Sequence, residues 1–569
     1  MLRALYLVVI ALCSLPLIPG IVGVFASAFS YIPPIGLENV STDAFTQALH
    51  WPGVEHSIGL TVSTSLLSSY LACLITFIIL QSTWRSAFWR KVEWLLSPLL
   101  AMPHVAFAIG FAFLFAPTGM GARVLFHWFG YQADPQAVGD MAWFVKDPYS
   151  LGLTLMLALK EIPFLLIMSI PVLQHLNVSE SEKVSASLGY NRWQTWWKCL
   201  FPQWLNKMRF PMLAVVAYSV SVVDVALIIG PTNPPTFAVL VWQWFNEPDL
   251  SLLPRAAAGA LILFVIASLL IGVVRGVEYL LLVRYRTWLS SGRVGYVLPG
   301  KGLFISLSIL TMVMVPLTLI WSVAQRWRFP DLLPSQYSLR FWQYEWQGIS
   351  SAIGNSMLLG IVSATVALFL AIIAHEYRLR TKWQIPGYVI AIPMLVPQLS
   401  ILFGLQIATL YLKADAYFIW VIWAHVFFAF PFVYLSLDGP WRAFNSRLMI
   451  VASSLGKTPF QAWIKVKLPL LFPAVVFAWA IGVSVSLAQY LPTLMLGAGR
   501  IATVTTEAVA LSSGFDRRVT AIYAIWQALL PLLFFFIAVL LSRLHSSYRR
   551  FSIRVVFSND TASQKHRHP

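Results

Sequence analysis

Two stretches decide how this chain is read. One runs from Ser185 to Pro202, SASLGYNRWQTWWKCLFP, and the other from Ala452 to Pro469, ASSLGKTPFQAWIKVKLP. Laid side by side without a gap, Ser187, Leu188, Gly189, Gln194, Trp196, Lys198 and Pro202 match Ser454, Leu455, Gly456, Gln461, Trp463, Lys465 and Pro469. Seven identities in eighteen positions at one fixed offset mark an internal repeat, not shared composition. Each copy reads as a short helix of small residues, a glycine where the chain turns or is closely approached, and an amphipathic helix with Trp and Lys. A proline then stops that helix and sets the re-entry of the chain. A loop resting on lipid headgroups has no need of the same Gly-to-Pro spacing twice. A helical bracket of this kind suits docking into a groove on another protein.

Around these loops the chain is too apolar for a soluble protein: 59% of its 569 residues are apolar and 11% charged. A hydrocarbon core of about 30 Å needs about 20 apolar residues in helical form. About twelve such runs are present, centred near residues 17, 70, 105, 161, 221, 266, 313, 362, 398, 427, 483 and 531. The first run is longer than a signal peptide needs and is expected to be a retained helix. Assigning the loops alternately puts 28 of the 39 Lys and Arg on one side, with both termini, and 10 on the other. Lys160 alone lies inside a span. The excess of basic residues places the richer side in the cytoplasm. The net charge of +17 is therefore a topology signal, and nucleic acid is not expected as a partner. Cys13, Cys73 and Cys199 are odd in number and far apart, which gives neither a disulfide framework nor a Cys-based metal site.

The repeat extends beyond the loops. Ile58-Gly59 matches Ile353-Gly354, and Pro103 with Gly110 matches Pro397 with Gly404. Ile162-Pro163-Phe164 echoes Phe430-Pro431-Phe432. The offset shortens in between because the loop from about Pro117 to Tyr149 is long and its partner, near Lys413 to Ala416, is a few residues. The expected organisation is two six-span halves, 1–290 and 291–547, with loops at about 178–205 and 445–472, then a basic cytoplasmic tail, 548–569.

The Gly-to-Pro spacing resembles the "EAA" loop of permeases in binding-protein-dependent ABC importers, and the six-plus-six fusion is similar to their ferric-iron and thiamine branch. Leu496-Gly497-Ala498-Gly499-Arg500 with Thr505-Thr506-Glu507 resembles the segment after the fifth core span in that branch. The motif's Glu position holds Lys183 and Ile450 here, its Ala positions read Val184-Ser185 and Val451-Ala452, and Glu182 sits one residue early. The resemblance implies an all-α, type I importer (MetI-like) fold in an inner membrane. It implies coupling helices inserted into cytoplasmic ATP-binding subunits, two copies in all, and a periplasmic solute-binding protein. ATP hydrolysis then lies on a separate subunit, and this chain holds no cofactor.

Other candidates are weaker. Gly295 to Lys301 has phosphate-loop spacing, but Gly302 stands where a Ser or Thr is needed; Gly456-Lys457-Thr458 lacks the first Gly. Ionisable groups at membrane depth are pathway candidates: Lys160 and Glu161, about 100° apart on a helix, and Asp224, with Gln489 as its rough counterpart. For Asp224 an interhelical hydrogen bond is the competing role. His104 and His425 read as packing residues, with no metal-ligand spacing nearby. Trp242, Trp244, Trp342 and Trp346 read as interfacial anchors. Twelve spans also suit a secondary transporter driven by an ion gradient, which leaves the paired loops unexplained. A membrane enzyme or scaffold needs a catalytic constellation, and none is visible.

Overall fold

A computed structural model describes residues 2–130, 144–285, 287–293, 295–381, 384–412, 416–514 and 516–565. Among them, ten helices are long and apolar enough to cross a membrane, and a bent pair makes an eleventh. The shorter apolar helix Arg209–Ser221 takes the remaining place, so all twelve expected centres fall on these segments. One two-stranded hairpin, Ala324–Arg326 with Gln336–Tyr337, interrupts an otherwise helical chain. The last helix runs from Arg517 to Lys565, so the expected tail continues a helix as far as the description goes. Residues 131–143 of the long loop after Pro117, and Lys413 to Asp415, lie outside the described residues.

Four of the expected spans are not straight rods. Trp89–Ala101 and His104–Phe115 are separated at Met102-Pro103, where Met102 is extended at ψ 119°. Gly387–Leu395 and Gln398–Leu412 are separated at Val396-Pro397, and there the chain bends by 105°. Proline removes the helical N–H and pushes the preceding residue to extended geometry, so the repeated Pro103 and Pro397 produce the same break twice. The span near 221 breaks between Arg209–Ser221 and Asp224–Ile229, and its counterpart between Leu468–Leu487 and Leu491–Leu496.

The halves 1–290 and 291–547 pack into each other through their leading spans. Leu17–Ala28 lies against Gln398–Leu412 so closely that a Cβ on Gly404 would stand 1.9 Å from the Gly20 carbonyl oxygen. Tyr6 stacks on Tyr377 at 4.1 Å. In mirror fashion Gly300–Val323 packs on the first half, and a Cβ on Gly110 would meet the Met314 Cβ at 2.9 Å. Gly110 and Gly404, paired by the sequence repeat, thus mark the two crossings, where small residues let backbones approach.

Candidate functional site

The two repeated loops are built alike, from the glycine outward. Helix Val178–Ser187 ends at Gly189, with φ +80°, and helix Arg447–Ser454 ends at Gly456, with φ +76°. In the first loop the Gly189 N–H donates to the Ala186 carbonyl at 2.9 Å and the Tyr190 N–H to Ser185 at 3.0 Å. In the second, Gly456 donates to Ser453 at 3.0 Å and Lys457 to Ala452 at 3.1 Å. This pair of bonds closes a helix by a left-handed residue, and glycine adopts that conformation without a Cβ penalty. Two residues after each glycine comes an N-cap, Asn191 or Thr458, in a capping box with Gln194 or Gln461. The shared glutamine is therefore structural, a role the bare match did not reveal. A widened π turn follows in each, Trp196–Leu200 and Trp463–Lys467, because Pro202 and Pro469 offer no N–H to the carbonyl four residues back. Leu188 and Leu455 are 65% and 74% exposed at the loop tips, beside Ser187 and Ser454.

The loops differ in what surrounds them. The connection between the halves covers the first: Lys198 donates to the carbonyls of Trp288 and of Ser291, the latter at 2.9 Å, and Trp197 to Tyr296 at 3.1 Å. The Arg293 guanidinium lies 3.2 Å from the place of a Gly189 Cβ, whereas no described residue stands within 4 Å of the place of a Gly456 Cβ. Lys465 is exposed. Glu182 turns into its own loop, accepting from Trp196 Nε1 at 3.0 Å with Arg192 at 3.5 Å, so it is not displayed to a partner. Met449 holds the matching place, and the buried Trp463 Nε1 has no partner among the described residues.

Lys160 and Glu161, electrostatic neighbours, make their hydrogen bonds to different partners. Lys160 donates to the carbonyls of Leu99 and Leu100 at 3.1 and 3.4 Å. Leu99 is four residues before Pro103, so Lys160 satisfies the carbonyl that the proline orphans, a structural task. Glu161 instead faces His104, 3.1 Å away, which makes His104 more than a packing residue. His104 lies 4.8 Å from the Tyr218 ring, and Asp224 is within electrostatic reach of His104, Tyr218 and, from the other half, Tyr490. Gln489, in the matching break, donates to the His425 carbonyl at 3.3 Å, and its Oε1 is buried without a partner among the described residues. His425 is a packing residue, held by Ser486 at 2.7 Å and Thr493 at 2.9 Å. Trp242 and Trp244 are buried, at 7% and 1% exposure, which overturns their reading as anchors; Trp346 is exposed. Among the described residues no group of three metal-ligating side chains forms.

No family model matches the chain. It is 34% identical over 510 residues to the inner membrane ABC transporter permease protein YnjC of Escherichia coli (strain K12), across 87% of this chain and 90% of that one. The chain belongs to the ABC transporter permease family. The permease is also 27% identical over 165 residues to the spermidine/putrescine transport system permease protein PotC of Haemophilus influenzae, covering 27% of this chain and 64% of that relative. With PotC of Escherichia coli (strain K12) the figures are 26% over 140 residues, 24% and 53%. The permease is thus a multi-pass inner-membrane transport subunit of an ABC importer, not an enzyme, and the ion-gradient reading falls away. Such permeases work with ATP-binding and solute-binding proteins.

Proposed function

We propose that each repeated loop of the permease docks one ATP-binding subunit, two copies in all, and that ATP hydrolysis resides there, with no cofactor in this chain. Both termini and both loops face the cytoplasm, and a solute-binding protein delivers its cargo to the opposite face. The observation that carries this is the shared backbone construction of two loops, each with its leucine tip exposed, in a chain whose two halves repeat. Closure of the two ATP-binding subunits would draw the loops together and rock the halves about the broken spans. The path then runs past Asp224, Glu161 and Tyr490, where elements of both halves meet. Two carboxylates there favour a cationic solute, in keeping with the polyamines named for PotC. Affinity purification of the tagged permease from its own cells should bring down an ATP-binding subunit. Exchange of the exposed Leu455 and Phe460 for Asp should release it. Solute uptake by vesicles holding the permease alone under an ion gradient would overturn the reading.

A further inference from the structure

The end of the molecule opposite the loops holds a cavity of about 360 Å³ between the first half, the hairpin after Gly300–Val323 and the start of the last helix. Arg123 lies in its wall at 2% exposure. Its Nε donates to the Thr118 carbonyl at 3.2 Å, and its Nη1 to the carbonyls of Arg328, at 2.8 Å, and Asp331. Arg517 donates to the same Thr118 carbonyl at 3.3 Å and to the Thr118 hydroxyl at 2.8 Å. Sharing one acceptor sets the two guanidinium groups side by side.

Every one of these partners is neutral. Arg518, the third arginine of the cavity, is matched by Asp516 at 2.8 and 2.9 Å, which leaves that carboxylate committed. Neither Arg123 nor Arg517 has a carboxylate within ion-pair distance among the described residues, and the Asp331 carboxylate acts on Arg123 only from further off. Arg123 Nη2 and Arg517 Nε have no partner there either. Aromatic faces back the cations, Trp327 at 4.9 Å from Arg123 and Trp321 at 5.3 Å from Arg517, and shield them from water. Two adjacent like charges, Arg123 buried and Arg517 half-buried, are costly unless an anion compensates them. A planar guanidinium fork offers paired N–H donors that match an oxyanion.

We infer that this cavity binds a phosphate-type oxyanion, free or as the headgroup of an anionic lipid, and that the bound anion ties the two halves together at this end. The test uses the full chain in detergent and in nanodiscs, with Arg517→Gln and Arg517→Lys as variants. In detergent at constant ionic strength, inorganic phosphate or sulfate should raise Tm by a few degrees where chloride does not. R517Q should lose this shift, and R517K, which keeps the charge but not the fork, should keep part of it. If the source is lipid, the wild type should retain phosphatidylglycerol in native mass spectrometry and be more stable in phosphatidylglycerol than in phosphatidylcholine nanodiscs, and R517Q should lose both effects. Absence of phosphate, sulfate and lipid effects in the wild type would overturn the inference. So would equal effects in wild type and R517Q.

Discussion

At the scale of single residues, Gly189 and Gly456 are required by backbone geometry, because each closes a helix with positive φ. An L-residue there costs about 1 kcal/mol. The two sites then diverge. A side chain at 189 meets the Arg293 guanidinium, while one at 456 points into open space among the described residues. Gly456→Asp should therefore abolish transport and the stimulation of ATP hydrolysis, and Gly189→Asp, its charge partly met by Arg293, should be milder. Inserted protein should stay near the wild-type level in both, because neither residue lies among the spans, and the double change should be at least as severe as G456D. Normal transport with retained ATP-binding subunit in both variants would remove the coupling role. The loop was legible in the sequence because glycine and proline each dictate backbone geometry, whereas the capping box was not. The direction of Glu182 was not, since an acid displaced by one position reads the same whether it meets a partner or its own Trp196. Lys160 was equally opaque: its role depends on a carbonyl orphaned sixty residues away in sequence.

Elements come next. Beneath the second loop, the Lys467 side chain, 4% exposed, pairs with Glu376, whose Oε1 also accepts from Trp441 Nε1 at 3.0 Å. Removing the acid alone leaves a buried ammonium unmatched, and breaking such a pair costs about 3–5 kcal/mol. Glu376→Ala should lower Tm in detergent sharply, whereas Glu376→Leu with Lys467→Met should recover most of the loss. An E376A protein as stable as wild type would deny the pair its role. On the other side of the molecule, Lys146 in the loop before Leu151–His175 donates to the Leu227 carbonyl at 2.5 Å, and burial pushes its ammonium down to about 8. Unfolded, it titrates near the ordinary lysine value of 10.5. Between these values the unfolded chain binds the extra proton, so stability should rise with pH across that window. Lys146→Met should flatten the rise measured by thermal unfolding. The helices themselves were legible because an apolar run long enough to cross a bilayer has few other uses. Their breaks at Pro103 and Pro397 were visible as a recurrence but not as bends, since hydropathy carries no direction.

For the whole molecule, the uneven division of Lys and Arg predicts the orientation: tags at the C-terminus and near Leu298 should report the cytoplasm, and one near Gln336 the periplasm. A periplasmic C-terminus would remove an odd number of spans from the scheme. What no local pattern foretold is that each half is completed by the leading span of the other. The sequence repeat records evolutionary units in order along the chain, while packing joins surfaces irrespective of order. The exchange makes the two crossings testable against each other. At Gly404 the space for a side chain is filled by backbone, the Gly20 carbonyl oxygen at 1.9 Å, and backbone in a packed helix cannot step aside without moving the whole span. At Gly110 the contact is looser: the nearest atom is the Met314 Cβ at 2.9 Å, fixed to its backbone, so the facing span must give by a few tenths of an ångström, at about 1–3 kcal/mol. Gly404→Ala should therefore detach the N-terminal span from the second half, and Gly110→Ala should be tolerated with a modest loss of Tm. A cysteine pair replacing Tyr6 and Tyr377, in a background without the three native cysteines, reads the attachment directly, because those rings stack at 4.1 Å. Oxidative cross-linking should be efficient in that background, survive G110A and fall in G404A. Equal cross-linking in all three would mean that the leading span is held by something other than the glycine crossing.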